Sequence, residues 1–193
     1  VLRQPLEDGQ VTISRAAGTL TFPSKVLLVG SLNPCPCGYR NDPRRDCHCS
    51  VPQIERYMAK ISGPLMDRID IHIEVPGVDF KELSSAREGS SSQEMRDAVQ
   101  ATRQRQTQRF SNTSIRHNAS MASRQIRDFC KLSPECQKLF HSSVDELGLS
   151  ARAHDKVLRV SRTIADLDES VEIQVHHLHE AVNYRMLDRQ MWT

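Results

Sequence analysis

Four of the six cysteines fall in one short stretch, Ser31 to Ser50, "SLNPCPCGYRNDPRRDCHCS", with the spacing C-x-C-x9-C-x-C. Thiolates in two close pairs suit tetrahedral zinc, and a loop rich in Pro, Gly and Asp has little else to order it. Zinc pairs usually carry two or more residues between their cysteines, so free thiols and a redox pair stand as the alternatives. A site closed by Cys35, Cys37, Cys47 and Cys49 leaves no open position for substrate, and its zinc would act as a strut. His48, between two of the cysteines, is expected to point away.

Three further side chains stand where an anion is the natural partner. Asn33 follows the apolar run "KVLLVG", Lys25 to Gly30. In open α/β sheets ligands collect at the carboxyl ends of the strands, and a carboxamide there can hold a water or a phosphate oxygen. The plainer account of Asn33 alone is a turn closed before Pro34. Arg68 sits at a sharp corner after Gly63-Pro64, either paired with Asp67 at the surface or rigidly presented to a phosphate on a neighbouring subunit. Arg152 lies in the first turn of a helix capped by Ser150, where the macrodipole disfavours a cation unless an anion is close. His176, His177 and His179 lack the i, i+4 spacing of a helical metal pair and read as helix-surface side chains, while Cys130 and Cys136 read as buried small hydrophobes.

These residues need elements to hold them. "QVTISRAAGTLTFP", Gln10 to Pro23, alternates on both sides of a small turn and predicts a hairpin. Lys25 to Gly30 is apolar on both faces and predicts a central strand; Ile69, Ile71, Ile73 and Val75 alternate with polar residues and predict another. Ser50 with Gln53 makes a capping box before a helix extending to Ile61. After the linker "AREGSSSQ" every strong signal is helical: Ser91 with Glu94 opens a helix to about Phe110, then come Ser123 to Lys131, Pro134 to Leu147, Ser150 to Leu167 and Val175 to Gln190. The expected fold is therefore α/β plus all-α, with residues 1–88 as an α/β part and 89–193 as a helical part.

The chain has 193 residues and a formal charge of +2, with no apolar run long enough to span a bilayer. A reduced, cytoplasmic setting with no membrane partner is expected from the cysteine clustering. Charge is unevenly spread. Residues 1 to 90 hold 11 basic and 11 acidic side chains, whereas 96 to 131 hold eight basic ones against Asp97 and Asp128. That excess is either a surface for tracking phosphates or a solvated helix face.

The blocks "LNPCPCGY", "CHCS", "RYMAKISGPLMDRIDIHIEVP" and "SARAHDKVLRVSRTIADL", in this order, resemble the C-terminal part of the ComM/YifB family of magnesium-chelatase-like AAA+ ATPases. The resemblance implies a partial AAA+ core, the C-terminal strands of a parallel sheet with a β-hairpin insertion, followed by a helical lid. It implies a ring homo-oligomer, usually a hexamer, with ATP and magnesium between subunits. By similarity Asn33 is the sensor-1 residue, Arg68 the arginine finger and Arg152 the sensor-2 arginine, and the hairpin carrying Arg15 would face DNA in the pore. The family's association with branch migration in natural transformation implies a motor that remodels DNA. No G-x-x-x-x-G-K-[ST] and no apolar strand ending in Asp-Glu occurs in the sequence. The expectation is that both lie upstream of Val1 and that this fragment does not hydrolyse ATP alone. Two rival readings are a chelatase subunit driving metal insertion into a tetrapyrrole, and a zinc-containing module that binds nucleic acid through Arg40, Arg44, Arg45 and the basic segment.

Overall fold

Gly9 ends the first helix in the left-handed conformation, φ 64°, and sends the chain straight into a hairpin. The structure is a computed structural model and describes residues 2–40, 42–61, 63–77 and 89–186. These fall into two compact units, one within Val1–Ile69 and Val75–Gly77, the other within Asp70–Glu74 and Val78–Thr193.

In the first unit, α1 (Arg3–Asp8) precedes β1 (Gln10–Arg15) and β2 (Gly18–Pro23), which pair antiparallel from Gln10↔Pro23 to Arg15↔Gly18. One face is a hydroxyl ladder, Thr12 to Thr21 and Ser14 to Thr19, both 3.1 Å, and the other carries Val11, Ile13, Leu20 and Phe22. Ala16 and Ala17 turn with negative φ, so the adjustment falls on Gly18 at φ 144°. The cysteine loop follows, then α2 (Val51–Met58), where the Gln53 side chain accepts from the Ser50 N–H at 2.9 Å, and α3 (Gly63–Met66).

The two expected parallel strands are not formed among the described residues, whose one sheet is the hairpin. Residues 25–30 run without a ladder partner, and Leu27 and Val29 are 91% and 84% exposed. A strand is stabilised by neighbours on its edges and layers on its faces, and this segment has neither. Residues 70–74 belong instead to the helical unit, where the His72 N–H donates to the Tyr184 carbonyl at 2.9 Å and Lys156 pairs with Asp70.

The second unit comprises α4 (Ser92–Arg109), a 3-10 turn (Asn118–Ser120), α5 (Ser123–Phe129), α6 (Pro134–Leu147), α7 (Ala151–Leu167) and α8 (Val175–Asn183). Their starts are set by caps: Ser91 Oγ accepts from the Glu94 N–H, Ser133 Oγ from Cys136 and Ser150 Oγ from Ala153. Phe110, Met121, Phe140, Val157, Ala165 and Leu178 share one core with Cys130 and Cys136, so those two cysteines are buried as expected. The expected end of α8, residues 187–190, lies outside the described residues, as do residues 86–88 of the expected linker, whose last two residues, Ser92 and Gln93, already belong to α4.

The helical unit also buries charge. Asp166, 1% exposed, is gripped by Arg109, whose Nη1 donates at 2.6 Å, by Asn118 Nδ2 at 2.8 Å and by Arg162 Nε at 3.2 Å. Burial raises the Asp166 carboxyl, but the hydrogen bonds from Arg109 and Asn118 outweigh it and hold it below the usual carboxylate value. Arg162, itself 3% exposed, donates on to the Val171 and Ser170 carbonyls at 2.8 and 2.7 Å. Arg105 donates to the Asp166 carbonyl and pairs with Glu169, which takes the left-handed conformation, φ 58°, that closes α7.

Candidate functional site

The cysteine loop is ordered by its own backbone turns. Gly38 N–H donates to the Cys35 carbonyl at 3.0 Å, and Gly38 stands at φ 83°, a conformation that side-chain-bearing residues rarely adopt. That turn brings Cys37 back beside Cys35. The sulfurs of Cys35 and Cys37 are 3.3 Å apart, Cys35 and Cys47 3.7 Å, and Cys37 and Cys47 3.6 Å, with all four ligand atoms within 4.8 Å of one another. Four thiolates about 2.3 Å from a central zinc would stand about 3.8 Å apart. None of the pairs is a disulfide. The sulfurs therefore have the spacing that a tetrahedral thiolate site requires.

Acidity within the cluster is split. At Cys35 burial opposes the thiolate, but hydrogen bonds from Cys37 and from backbone N–H groups bring it down to about 6. At Cys49 burial acts first, the neighbouring sulfurs add to it, and the thiol is pushed up to about 12. Four negative sulfurs cannot share this volume without a cation among them, which is the chemistry a divalent metal supplies.

Around the cluster, Arg45 Nη1 donates to the Tyr39 hydroxyl at 2.7 Å, with its guanidinium carbon 5.1 Å from the ring centre. Arg44 is tied to Asp42, whose carboxylate accepts from the Arg44 N–H at 2.8 Å. Asn33 is exposed, and its carboxamide lies 3.8 Å from the point where a side chain on Gly38 would begin. It stands at the entrance to the cysteine loop, beyond a segment that is not a paired strand.

Arg68 follows α3 directly. Its backbone N–H closes the corner on the Leu65 carbonyl at 3.0 Å, its Nε donates to Glu7 at 2.8 Å, a second nitrogen of the fork pairs with the same carboxylate, and Nη1 donates to the Pro64 carbonyl. The partner found is thus Glu7 on α1, 61 residues away, a contact that sequence spacing does not reveal. Arg15 closes the hairpin and is exposed. Arg152 is exposed in the first turn of α7, as the Ser150 cap requires. Asn33, Arg68, Arg15 and the four cysteines belong to the first unit and Arg152 to the second.

His177 differs from the surface side chain expected: it is fully buried. Its Nδ1 accepts from the Gln174 N–H at 2.9 Å, so the ring proton sits on Nε2, which donates to Asp168 at 2.9 Å. Asp168, His176 and His177 do gather three ligand-type atoms. The tautomer forced on His177 turns a proton, not a lone pair, toward that point, so the group is a junction between α7 and α8 and not a metal site. The available signal was positional: His177 is the third residue of a helix opening at Val175, where a side-chain acceptor is useful.

A family profile described as "Magnesium chelatase, subunit ChlI" matches residues 1–83, and one described as "Magnesium chelatase, subunit ChlI C-terminal" matches 89–185. The chain is 40% identical over 97% of its length to the protein YifB of Escherichia coli, and 38% identical over 97% to the competence protein ComM of Haemophilus influenzae. A Mycobacterium tuberculosis protein is 32% identical over 95%. In each case the chain spans only 36% of the relative's length. No helix among the described residues is long and apolar enough to cross a membrane. With the two profiles following one another along nearly the whole chain, it belongs to the magnesium chelatase ChlI family, alongside the ComM and YifB proteins.

Proposed function

We propose that this chain is part of a ring-forming AAA+ ATPase of the ComM kind, which couples ATP hydrolysis to DNA remodelling such as branch migration in the cytoplasm. The observation that carries the reading is the family match together with Arg68, a guanidinium set at a rigid corner and paired with the Glu7 carboxylate. A planar fork held this way is suited to exchanging that carboxylate for a γ-phosphate. In this reading Asn33 positions the attacking water, Arg68 is the finger offered to a neighbouring copy, Arg152 reports the nucleotide to the helical unit, and Arg15 on the hairpin touches DNA. Residues 25–30 and 70–75 then take their places in a parallel sheet, which would cover apolar side chains that are exposed here. ATP and magnesium are bound through motifs this sequence lacks, so the chain alone is inactive.

Full-length protein should hydrolyse ATP several-fold faster with branched DNA than without it. Turnover indifferent to DNA but stimulated by a tetrapyrrole-chelatase partner would favour the metal-insertion reading, which the family's description also supports.

Cys35, Cys37, Cys47 and Cys49 would hold zinc, whose contribution is to tie the loop. Metal analysis of the purified chain should find close to one zinc, and less than about one per two chains counts against the site. Cys35→Ser with Cys49→Ser should remove it.

A further inference from the structure

The basic segment noted in the sequence divides in the structure. Arg105 and Arg109 turn inward to Glu169 and Asp166. Arg124, Arg127 and Lys131 remain exposed and make no hydrogen bond or ion pair among the described residues. Arg124 and Arg127 stand three apart on α5, and Lys131 follows just beyond the helix end, so three positive charges run along one edge against the single carboxylate of Asp128, a net excess of two.

That edge borders an open groove of about 610 Å³ in the helical unit. Arg127 and Lys131 line one side, and His141 and Gln137 on α6 the other. The one carboxylate among the described residues that line it, Asp155, is already engaged by His154 at 3.2 Å and by the Ser123 hydroxyl at 3.3 Å. At the end formed by α7, the His154 ring packs over Phe140 with centroids 4.8 Å apart, and the His154 side chain is 43% exposed.

We propose that this groove is a binding site for single-stranded nucleic acid, with phosphates on Arg124, Arg127 and Lys131 and a base laid on His154. A cationic edge beside an exposed ring is the arrangement that takes a strand without reading its sequence. An acidic protein segment would meet the same charges, but the floor offers it no anchor: Ile126, Phe140 and Leu158 are only 3%, 3% and 6% exposed, so no deep apolar hole is open to a large side chain. The site requires no nucleotide and is separate from the hairpin of the proposed motor; it rests on that reading only in supposing that a strand is at hand.

The test is fluorescence anisotropy of a labelled oligothymidylate of about twenty nucleotides with the 193-residue chain, titrated from about 50 to 200 mM salt. Three phosphate contacts predict a log–log salt slope of about −2 from this edge. Arg124→Glu, Arg127→Glu and Lys131→Glu together should weaken binding at low salt by about ten-fold or more and flatten the slope by about 2, while Arg15→Glu leaves that part of the slope in place. His154→Ala should weaken binding several-fold without changing the slope. Arg124, Arg127 and Lys131 are exposed, so the helical circular dichroism and its melting should be unchanged in the triple variant; if it melts early, Arg127→Gln with Lys131→Gln gives the same reading at smaller amplitude. Affinity and slope untouched by these changes overturn the site. Displacement of the oligonucleotide by oligoglutamate at equal concentration also overturns it and makes the occupant an acidic protein segment. DNA-independent turnover in the full-length protein, with edge-dependent strand binding by this chain, would defeat the motor and leave the groove standing.

Discussion

Arg68→Ala in the full-length protein lowers ATP turnover by about a thousand-fold or more and leaves nucleotide affinity within a few-fold. A guanidinium supplied to a neighbour's transferring phosphate acts on charge that develops in the transition state, so its loss appears in kcat and not in binding. Arg68→Lys should fail to rescue, because an ammonium cannot make the paired contact of a planar fork. The structure adds a second variant. Glu7 now takes two nitrogens of that fork, and the finger can reach a phosphate only by leaving this carboxylate. Glu7→Gln weakens the competing contact and should therefore preserve turnover, which separates a finger from a merely structural ion pair: if the pair were structural, both variants would lose activity together. Near-normal turnover in Arg68→Ala ends the assignment.

Legibility followed the range of the interaction. Helix starts set by a serine and a partner three residues on, such as Ser91 with Glu94, were readable because both ends of the contact lie in one turn. The hairpin was readable because Gln10 to Pro23 alternates on both sides of a small-residue turn. The run Lys25 to Gly30 carries the composition of a buried strand, yet composition states only what the residues tolerate, and the ladder needs a partner that the described residues do not offer. Within the candidate site, the four-cysteine spacing foretold a cluster, and the sulfurs do meet. The Glu7 contact to Arg68 and the inward turn of Arg109 were hidden by separations of 61 and 57 residues. The polar helix α4 shows no strong apolar stripe to say which face is covered, so its arginines read as surface. One of them, Arg109, in fact grips the buried Asp166 carboxylate, and Arg105 donates to the Asp166 backbone carbonyl.

That carboxylate sets the largest stability effect expected in the chain. Asp166→Ala should destabilise the helical unit by about 3–5 kcal/mol, because it leaves Arg162 and the Arg109 fork facing each other without a counter-charge. For a unit of this size each kcal/mol moves the melting temperature by about 4–8 °C, so the variant should melt some tens of degrees lower or fail to fold at ordinary temperature. Asp166→Asn keeps the shape but not the charge and should fall between. The pH dependence carries a sign that a hydrophobic cavity would not. The folded Asp166 is held below its ordinary value of about 3.9, so the unfolded chain takes up the proton first as pH falls. The stabilisation is therefore fully present above about pH 5 and is lost progressively below about pH 4 as the folded carboxyl is itself protonated. Denaturant melts of wild type and Asp166→Asn, followed by circular dichroism, should differ by a constant amount from pH 8 to about 5 and converge below about 4. A gap that stays the same down to pH 3 would mean that Asp166 acts through packing alone, and that α4, the 3-10 turn and α7 are joined by shape and not by charge.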